Sequence, residues 1–93
     1  MTEYENENTK GVVVVRDKDR RTLVAETFYS EEEGFGMLKS WVDTMIQREK
    51  GDNMGATVDY YELPDMAIVE GRSDKQIGLL MDGLKPDEHI RVI

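Results

Sequence analysis

Cysteine is absent from this 93-residue sequence, and histidine occurs once. Without cysteine the chain forms no disulfide, no thiolate zinc site and no cysteine nucleophile. No apolar run approaches the ~18 residues of a membrane-spanning helix. Residues 1–7 have neither the basic start nor the apolar stretch of a secretory signal. We therefore expect a cytoplasmic protein (in the host cytoplasm if it is viral) that has no membrane partner.

Basic residues are also scarce, since twelve lysines and arginines face twenty acidic residues and leave a formal net charge of −8. A negative field of this size repels phosphate, which disfavours direct binding to nucleic acid or to an anionic membrane. Apolar residues nonetheless make up 39% of the chain and fall in periodic runs, unlike those of a disordered acidic tail. The sequence therefore predicts an acidic surface on a folded domain.

The first thirty residues indicate a flexible arm followed by a β-hairpin. Residues 1–10 are polar and acidic, and we expect them to precede a single domain at residues 11–93. The four valines at 12–15 predict a strand buried on both faces. Residues 16–21 are all charged and indicate an exposed turn, and residues 22–29 alternate as a second strand does.

Two helices are predicted from their capping sequences. Residues 30–33 and 73–76 each have the serine and the acidic or amide residue of a capping box. The first helix is expected to end near Lys50 and Gly51, although two early glycines leave a start near Met37 as an alternative. The second is expected to end at Gly83 or Pro86. In the first helix we expect Met37 to be exposed and four residues to lie in the core: Phe35, Leu38, Trp41 and Met45.

Three further strands are expected at residues 57–62, 66–70 and 89–93, which gives the order β-β-α-β-β-α-β. Short connections make the neighbouring pairs antiparallel. The fold class is therefore α+β, with an antiparallel or mixed sheet of about five strands. We expect both helices to pack on one face, so that the other face is open to water or to a partner. The strand order is left open.

Catalytic and metal-binding patterns are weak. The single histidine, His89, lies beside acidic residues in the last predicted strand, and the serines at 30 and 73 have a better explanation as helix caps. A metal site from Asp52, Asn53 and Asp59 lacks the alternating ligands and the glycine of a calcium loop. We therefore expect that the protein is not an enzyme and that it binds neither a cofactor nor a metal.

Acidic residues are concentrated in residues 51–72, which contain five of them and a single basic residue, Arg72. We predict two partner-binding acidic patches. The first comprises Asp59, Tyr61, Glu62, Asp65 and Glu70, and the second comprises Glu31, Glu32 and Glu33. The alternative is that these carboxylates only keep a small protein soluble. We interpret the mixed charges of residues 16–21 as a turn that keeps the protein soluble. The alternative is that this turn inserts into a groove of a partner.

The leading functional hypothesis is a non-enzymatic inhibitor or regulator that mimics nucleic acid and occupies a basic surface of another protein. In size and charge the chain is similar to small phage-encoded inhibitors of host nucleases, restriction systems, CRISPR effectors or polymerases. That similarity lies in composition alone. The alternative hypothesis is a structural or regulatory module that self-associates as a homodimer through residues 12–15 or 89–93. A small enzyme or ligand carrier is the third.

Overall fold

The computed structural model describes residues 9–47 and 54–92. Its elements, in chain order, are β1 (Gly11–Arg16), β2 (Thr22–Phe28), α1 (Glu31–Gln47), β3 (Thr57–Glu62), a 3-10 turn (Met66–Ile68), α2 (Asp74–Met81) and β4 (Glu88–Arg91). The strands form one antiparallel sheet in the order β2-β1-β3-β4. The predicted α+β class is confirmed, but the sheet has four strands and not about five. The predicted arm at residues 1–10 falls mostly outside the described residues and stays a prediction.

The missing strand is the segment predicted at residues 66–70, which forms the 3-10 turn instead. Asp65 caps this turn, since its carboxylate accepts a hydrogen bond from the Ala67 amide at 2.9 Å. Met66 and Val69 are buried, whereas the residues between them are exposed. A spacing of three matches the 3-10 repeat, and it does not match the two-residue alternation of a strand.

The two helices cover opposite faces of the sheet, so the prediction that both pack on one face is wrong. Val13 and Val15 belong to the hydrophobic cluster beneath α1. Val12 and Val14 belong to the cluster that contains the buried residues of α2. Side chains alternate along a strand, and all four valines are fully buried. A central strand of this kind requires cover on both sides, and one helix supplies it on each.

Helix α1 begins at Glu31, so the alternative start near Met37 is wrong. The Ser30 hydroxyl accepts a hydrogen bond from the Glu33 amide at 3.1 Å, as predicted for the cap. The glycine at position 34, in the first turn of α1, is explained by packing, because a Cβ atom on Gly34 would lie 2.7 Å from a ring carbon of Tyr60. The glycine therefore lets the first turn approach the sheet. The predicted end of the helix at residues 50–51 lies outside the described residues.

The core assignments in α1 hold for Leu38 and Met45, which are buried. Trp41 is partly buried and packs against the same cluster. Phe35 is 39% exposed, so it lies at the surface and not in the core. Met37, which we expected to be exposed, is partly buried against the cluster.

Helix α2 lies close against β2. Both hydrogen bonds of the predicted capping box between Ser73 and Gln76 are present. The helix ends at Met81, before the predicted end. A Cβ atom on Gly78 would overlap the side chain of Thr22, so the helix backbone rests directly on that strand. Within residues 9–47 and 54–92, no helix has the length and apolar content to cross a membrane.

Candidate functional site

A buried ion pair connects β1 to β3 on the face that α2 covers. Arg16 is 1% exposed, and its Nη1 lies 2.8 Å from Asp59 Oδ2. The same nitrogen donates to the Tyr61 hydroxyl at 3.1 Å, and Nη2 donates to the Gly78 carbonyl oxygen of α2 at 3.0 Å. A guanidinium presents its donors in a rigid fork, so Arg16 holds two strands and a helix in one arrangement.

His89 continues this network to the surface. Its Nδ1 lies within hydrogen-bonding distance of Asp59 Oδ1, on the neighbouring strand. The carboxylate therefore orients the imidazole ring, whose side chain is about half exposed. Orientation of this kind prepares a histidine for base catalysis or metal binding. However, the described residues contain no group of three or more potential metal ligands. The contacts of the network join β1, β3 and β4 to α2.

The prediction that Asp59 and Tyr61 form part of an exposed acidic face is wrong, because they are 2% and 3% exposed. The two side chains lie on one face of β3, and Tyr60 lies on the other. Burial raises the pKa of Tyr61, and the nearby Arg16 offsets part of that effect. A charge partner 43 positions away in the chain turns Asp59 inwards.

A dense group of carboxylates lies where β3 ends and where α1 and β4 begin. Glu62 accepts a hydrogen bond from the Tyr60 hydroxyl at 3.1 Å. Asp87 accepts one from the Glu62 amide at 2.7 Å. Burial raises the pKa of Tyr60, and so do the hydrogen bond to Glu62 and the charges of Glu62, Glu31 and Asp87. All three carboxylates therefore act on one hydroxyl group.

We call this region the acidic end. Its members are the three glutamates that open α1, the last residue of β3, the residue before β4, and the first residue of β4. The register of β3 and β4 places Glu88 opposite Tyr60. They are Glu31, Glu32, Glu33, Glu62, Asp87 and Glu88. All but the partly exposed Glu31 are exposed. The acidic end thus combines members of both predicted patches with two residues from neither.

An aromatic stack supports the acidic end. The ring of Tyr60 lies between those of Phe28 and Phe35, with centroid distances of 4.9 and 4.5 Å and interplanar angles of 12° and 5°. Phe35 forms the outer layer of the stack and is 39% exposed. A rigid, partly exposed aromatic ring beside fixed charges provides apolar contact area that loses little side-chain entropy on binding.

Two of the predicted binding residues lie elsewhere. Asp65 uses its carboxylate to cap the 3-10 turn, and Glu70 is exposed just beyond that turn. Neither is among the carboxylates that raise the pKa of Tyr60. Asp87 and Glu88 were missed as binding residues because they are 25 or more positions from Glu62 in sequence. Only the pairing of β3 with β4 brings them to it.

The opposite end of the sheet has mixed charge. There β1 and β4 end and β2 and β3 begin, so Arg16 and Arg91 each lie opposite Thr57. The β1–β2 turn adds Lys18, Arg20 and Arg21, interspersed with Asp17 and Asp19. The side chain of Asp17 accepts hydrogen bonds from two amides within the turn, at 2.9 Å each. The basic residues of the described chain are therefore enriched at the end remote from the acidic end.

Comparisons of the chain with protein-family models, with curated proteins and with solved structures find no match. The function is therefore argued from the charges and contacts described above.

Proposed function

We propose that the protein is a non-enzymatic inhibitor or regulator whose acidic end occupies a basic, nucleic-acid-handling surface of a partner protein. The observation that carries this proposal is that the carboxylates of Glu31, Glu62 and Asp87, from three separate segments, all act on the Tyr60 hydroxyl beside one aromatic stack. Nucleases, restriction enzymes, CRISPR effectors and polymerases present surfaces of the required kind, and a phage-encoded inhibitor of such an enzyme fits the proposal.

Three of the carboxylates at the acidic end are held by hydrogen bonds, and this supports recognition by geometry as well as by net charge. Glu62 is held by the Tyr60 hydroxyl, and Asp87 is held by a backbone amide. Glu33 accepts a hydrogen bond from the Tyr29 amide at 2.8 Å. Negative charges in fixed positions reproduce the field of a phosphate backbone without paying to order a flexible chain on binding.

Phe35 gives the proposed interface its apolar centre. Charged groups at the rim of an interface mainly accelerate association, whereas buried aromatic residues slow dissociation. We therefore expect association rates that fall steeply as salt is added, and a dissociation rate that rises when Phe35 is replaced by alanine. The partner is expected to contact the acidic end and Phe35 together.

The test uses immobilised protein and the heparin-binding fraction of a cell lysate, which is enriched in proteins that handle nucleic acid. Captured proteins are identified, and a short DNA duplex is added as a competitor. The test variant combines Glu32→Lys with Glu88→Lys, because both side chains are exposed and lie at the acidic end. We expect the variant to lose the captured protein, and the DNA duplex to displace it from the wild type.

The matched control combines Asp19→Lys with Asp43→Lys, which changes net charge equally at exposed positions away from the acidic end. We expect this control to retain the partner. Equal losses in both variants would show that bulk charge, and not the acidic end, determines binding. Failure of DNA to compete would contradict occupation of a nucleic-acid-handling surface. Circular dichroism of both variants confirms that each one is folded.

A further inference from the structure

His89 lies in β4, an outer strand of the sheet that the structure describes. Strand β1, which holds the residues 12–15 considered above for self-association, is instead paired on both sides. A side chain on an outer strand has a neighbouring strand on one side only. The imidazole of His89 meets Asp59 on that side and is about half exposed, so a small molecule from solution can reach it.

The contact with Asp59 determines which ring nitrogen faces outwards. A carboxylate paired with a guanidinium accepts hydrogen bonds, and Asp59 pairs with Arg16 at 2.8 Å. The Nδ1 atom of His89 therefore carries the proton that it donates to Asp59 Oδ1. The Nε2 atom then keeps its lone pair and points away from the buried carboxylate. An imidazole nitrogen with a free lone pair is a nucleophile.

The carboxylate of Asp59 is itself held in place. Its side chain is 3% exposed, and Arg16 both fixes its second oxygen and balances its charge. A buried carboxylate behind a histidine keeps the ring in one tautomer and one orientation, and it stabilises the positive charge that the ring gains when Nε2 forms a bond. Asp59 is therefore a positioning residue, and His89 is the group that reacts.

The charges beside the ring favour an anionic electrophile. Arg91 is exposed and lies two positions from His89, on the same face of β4, because side chains alternate along a strand. A guanidinium can bind two oxygens of a phosphoryl group at once. The acidic residues next in sequence are directed elsewhere. Glu88 lies on the other face of the strand, and the carboxylate of Asp87 binds a backbone amide of β3.

We propose that His89 accepts a phosphoryl group at Nε2 from a small phosphoryl donor, such as a phosphoramidate or an acyl phosphate. Nε2 attacks phosphorus and forms an N–P bond, while the bond from phosphorus to the leaving group breaks and the leaving group takes its electron pair. The ring becomes positively charged. The Nδ1 proton stays in the hydrogen bond to Asp59, whose negative charge stabilises the ring, and Arg91 binds the phosphoryl oxygens. This inference does not depend on the proposed function.

The test incubates the protein with phosphoramidate and follows its intact mass over time. Because the chain contains one histidine, we expect a single phosphoryl group per chain and none on the variant His89→Gln. The folded protein should react at least about tenfold faster than the same chain unfolded in urea, since only the fold orients the ring beside Arg91. Phosphorus NMR of the folded product should place the group on Nε2 and not on Nδ1.

Variants separate the roles of the neighbouring residues. Arg91→Gln should slow the reaction at least about threefold, because it removes the group that binds the phosphoryl oxygens. Lys39→Gln is the matched control, since it removes one positive charge at an exposed position of α1, on the other face of the sheet, and should leave the rate unchanged. Asp59→Asn, if circular dichroism shows it to be folded, should give product on both ring nitrogens, which a loss of stability alone would not cause.

Equal rates for the folded and the urea-unfolded chain would overturn the inference, and this comparison decides the question even if Asp59→Asn does not fold. A product on Nδ1 of the folded wild type would also overturn it, and so would phosphorylation of His89→Gln at the wild-type rate. Equal slowing by Arg91→Gln and Lys39→Gln would show that overall charge attracts the donor, and it would contradict a site formed by His89 and Arg91.

Discussion

The buried pair of Arg16 and Asp59 gives the most direct test of the structure. Asp59→Asn keeps the size of the side chain and one acceptor oxygen, but it removes the buried charge closest to Arg16 and leaves only the half-exposed Asp82, 3.9 Å from Nε. Both side chains are almost fully buried, at 1% and 3% exposed, so water does not screen the charge that remains. We therefore expect a large loss of folding stability from a change of very few atoms.

The magnitude follows from the cost of an unpaired buried charge, which is about 3–5 kcal/mol when one partner of a buried pair is removed. A domain of this length has a free energy of unfolding of about 5–14 kcal/mol. Asp59→Asn should therefore remove about a fifth of the stability or more. With a urea m-value of about 2 kcal/mol/M, the midpoint should fall by about 2 M.

Urea unfolding followed by circular dichroism measures this effect. Asp43→Asn, at an exposed position on α1, is the control and should change stability by less than about 0.5 kcal/mol. Arg16→Met combined with Asp59→Asn should cost less than the sum of the two single changes, because no charge is then left unpaired. A loss below about 1 kcal/mol for Asp59→Asn would refute the argument from burial.

Two further predictions concern α1 and the acidic end. Gly34→Ala should destabilise the fold by about 1–3 kcal/mol through overlap with Tyr60 and Phe28. A Cβ atom added at Gly36 would meet open space, so Gly36→Ala should stabilise the fold by about 0.5–1 kcal/mol. Equal effects of the two substitutions in urea unfolding would contradict the close approach of α1 to the sheet. The pKa of Tyr60 is higher in the folded protein than in the unfolded chain, where it is about 10. The contribution of this phenol to folding stability should therefore be retained below about pH 10 and lost as the pH rises above that value. Tyr60→Phe should flatten this loss above about pH 10, and parallel curves for wild type and variant would show that the phenol is not the cause.

Local patterns predicted most of the elements. The valine run, both capping sequences and the strand predicted at residues 57–62 correspond to β1, the two helices and β3 as the structure has them. These signals succeed because they depend on residues a few positions apart. The segment at residues 66–70 failed because a short apolar run suits a strand or a turn equally well, and the cap from Asp65 decides between them.

The candidate site was predicted only in part. Glu62 and the glutamates that open α1 lie at the acidic end, whereas Asp59 and Tyr61 are buried. A carboxylate on a strand points towards solvent or into the protein according to what covers that face. The sequence alone does not show that α2 covers the face of β3 on which Asp59 lies, or that Arg16 lies on that face and pairs with Asp59.

The sequence by itself determined the acidic surplus, the α+β class and the serine caps of both helices, because charge adds along the chain and caps act within one turn. Only the tertiary structure decided which carboxylates are exposed and which lie together. Cover of both sheet faces hides Asp59, and the pairing of β3 with β4 brings Asp87 and Glu88 to Glu62 and Tyr60. Such neighbours arise from contacts between distant segments, which no local pattern records.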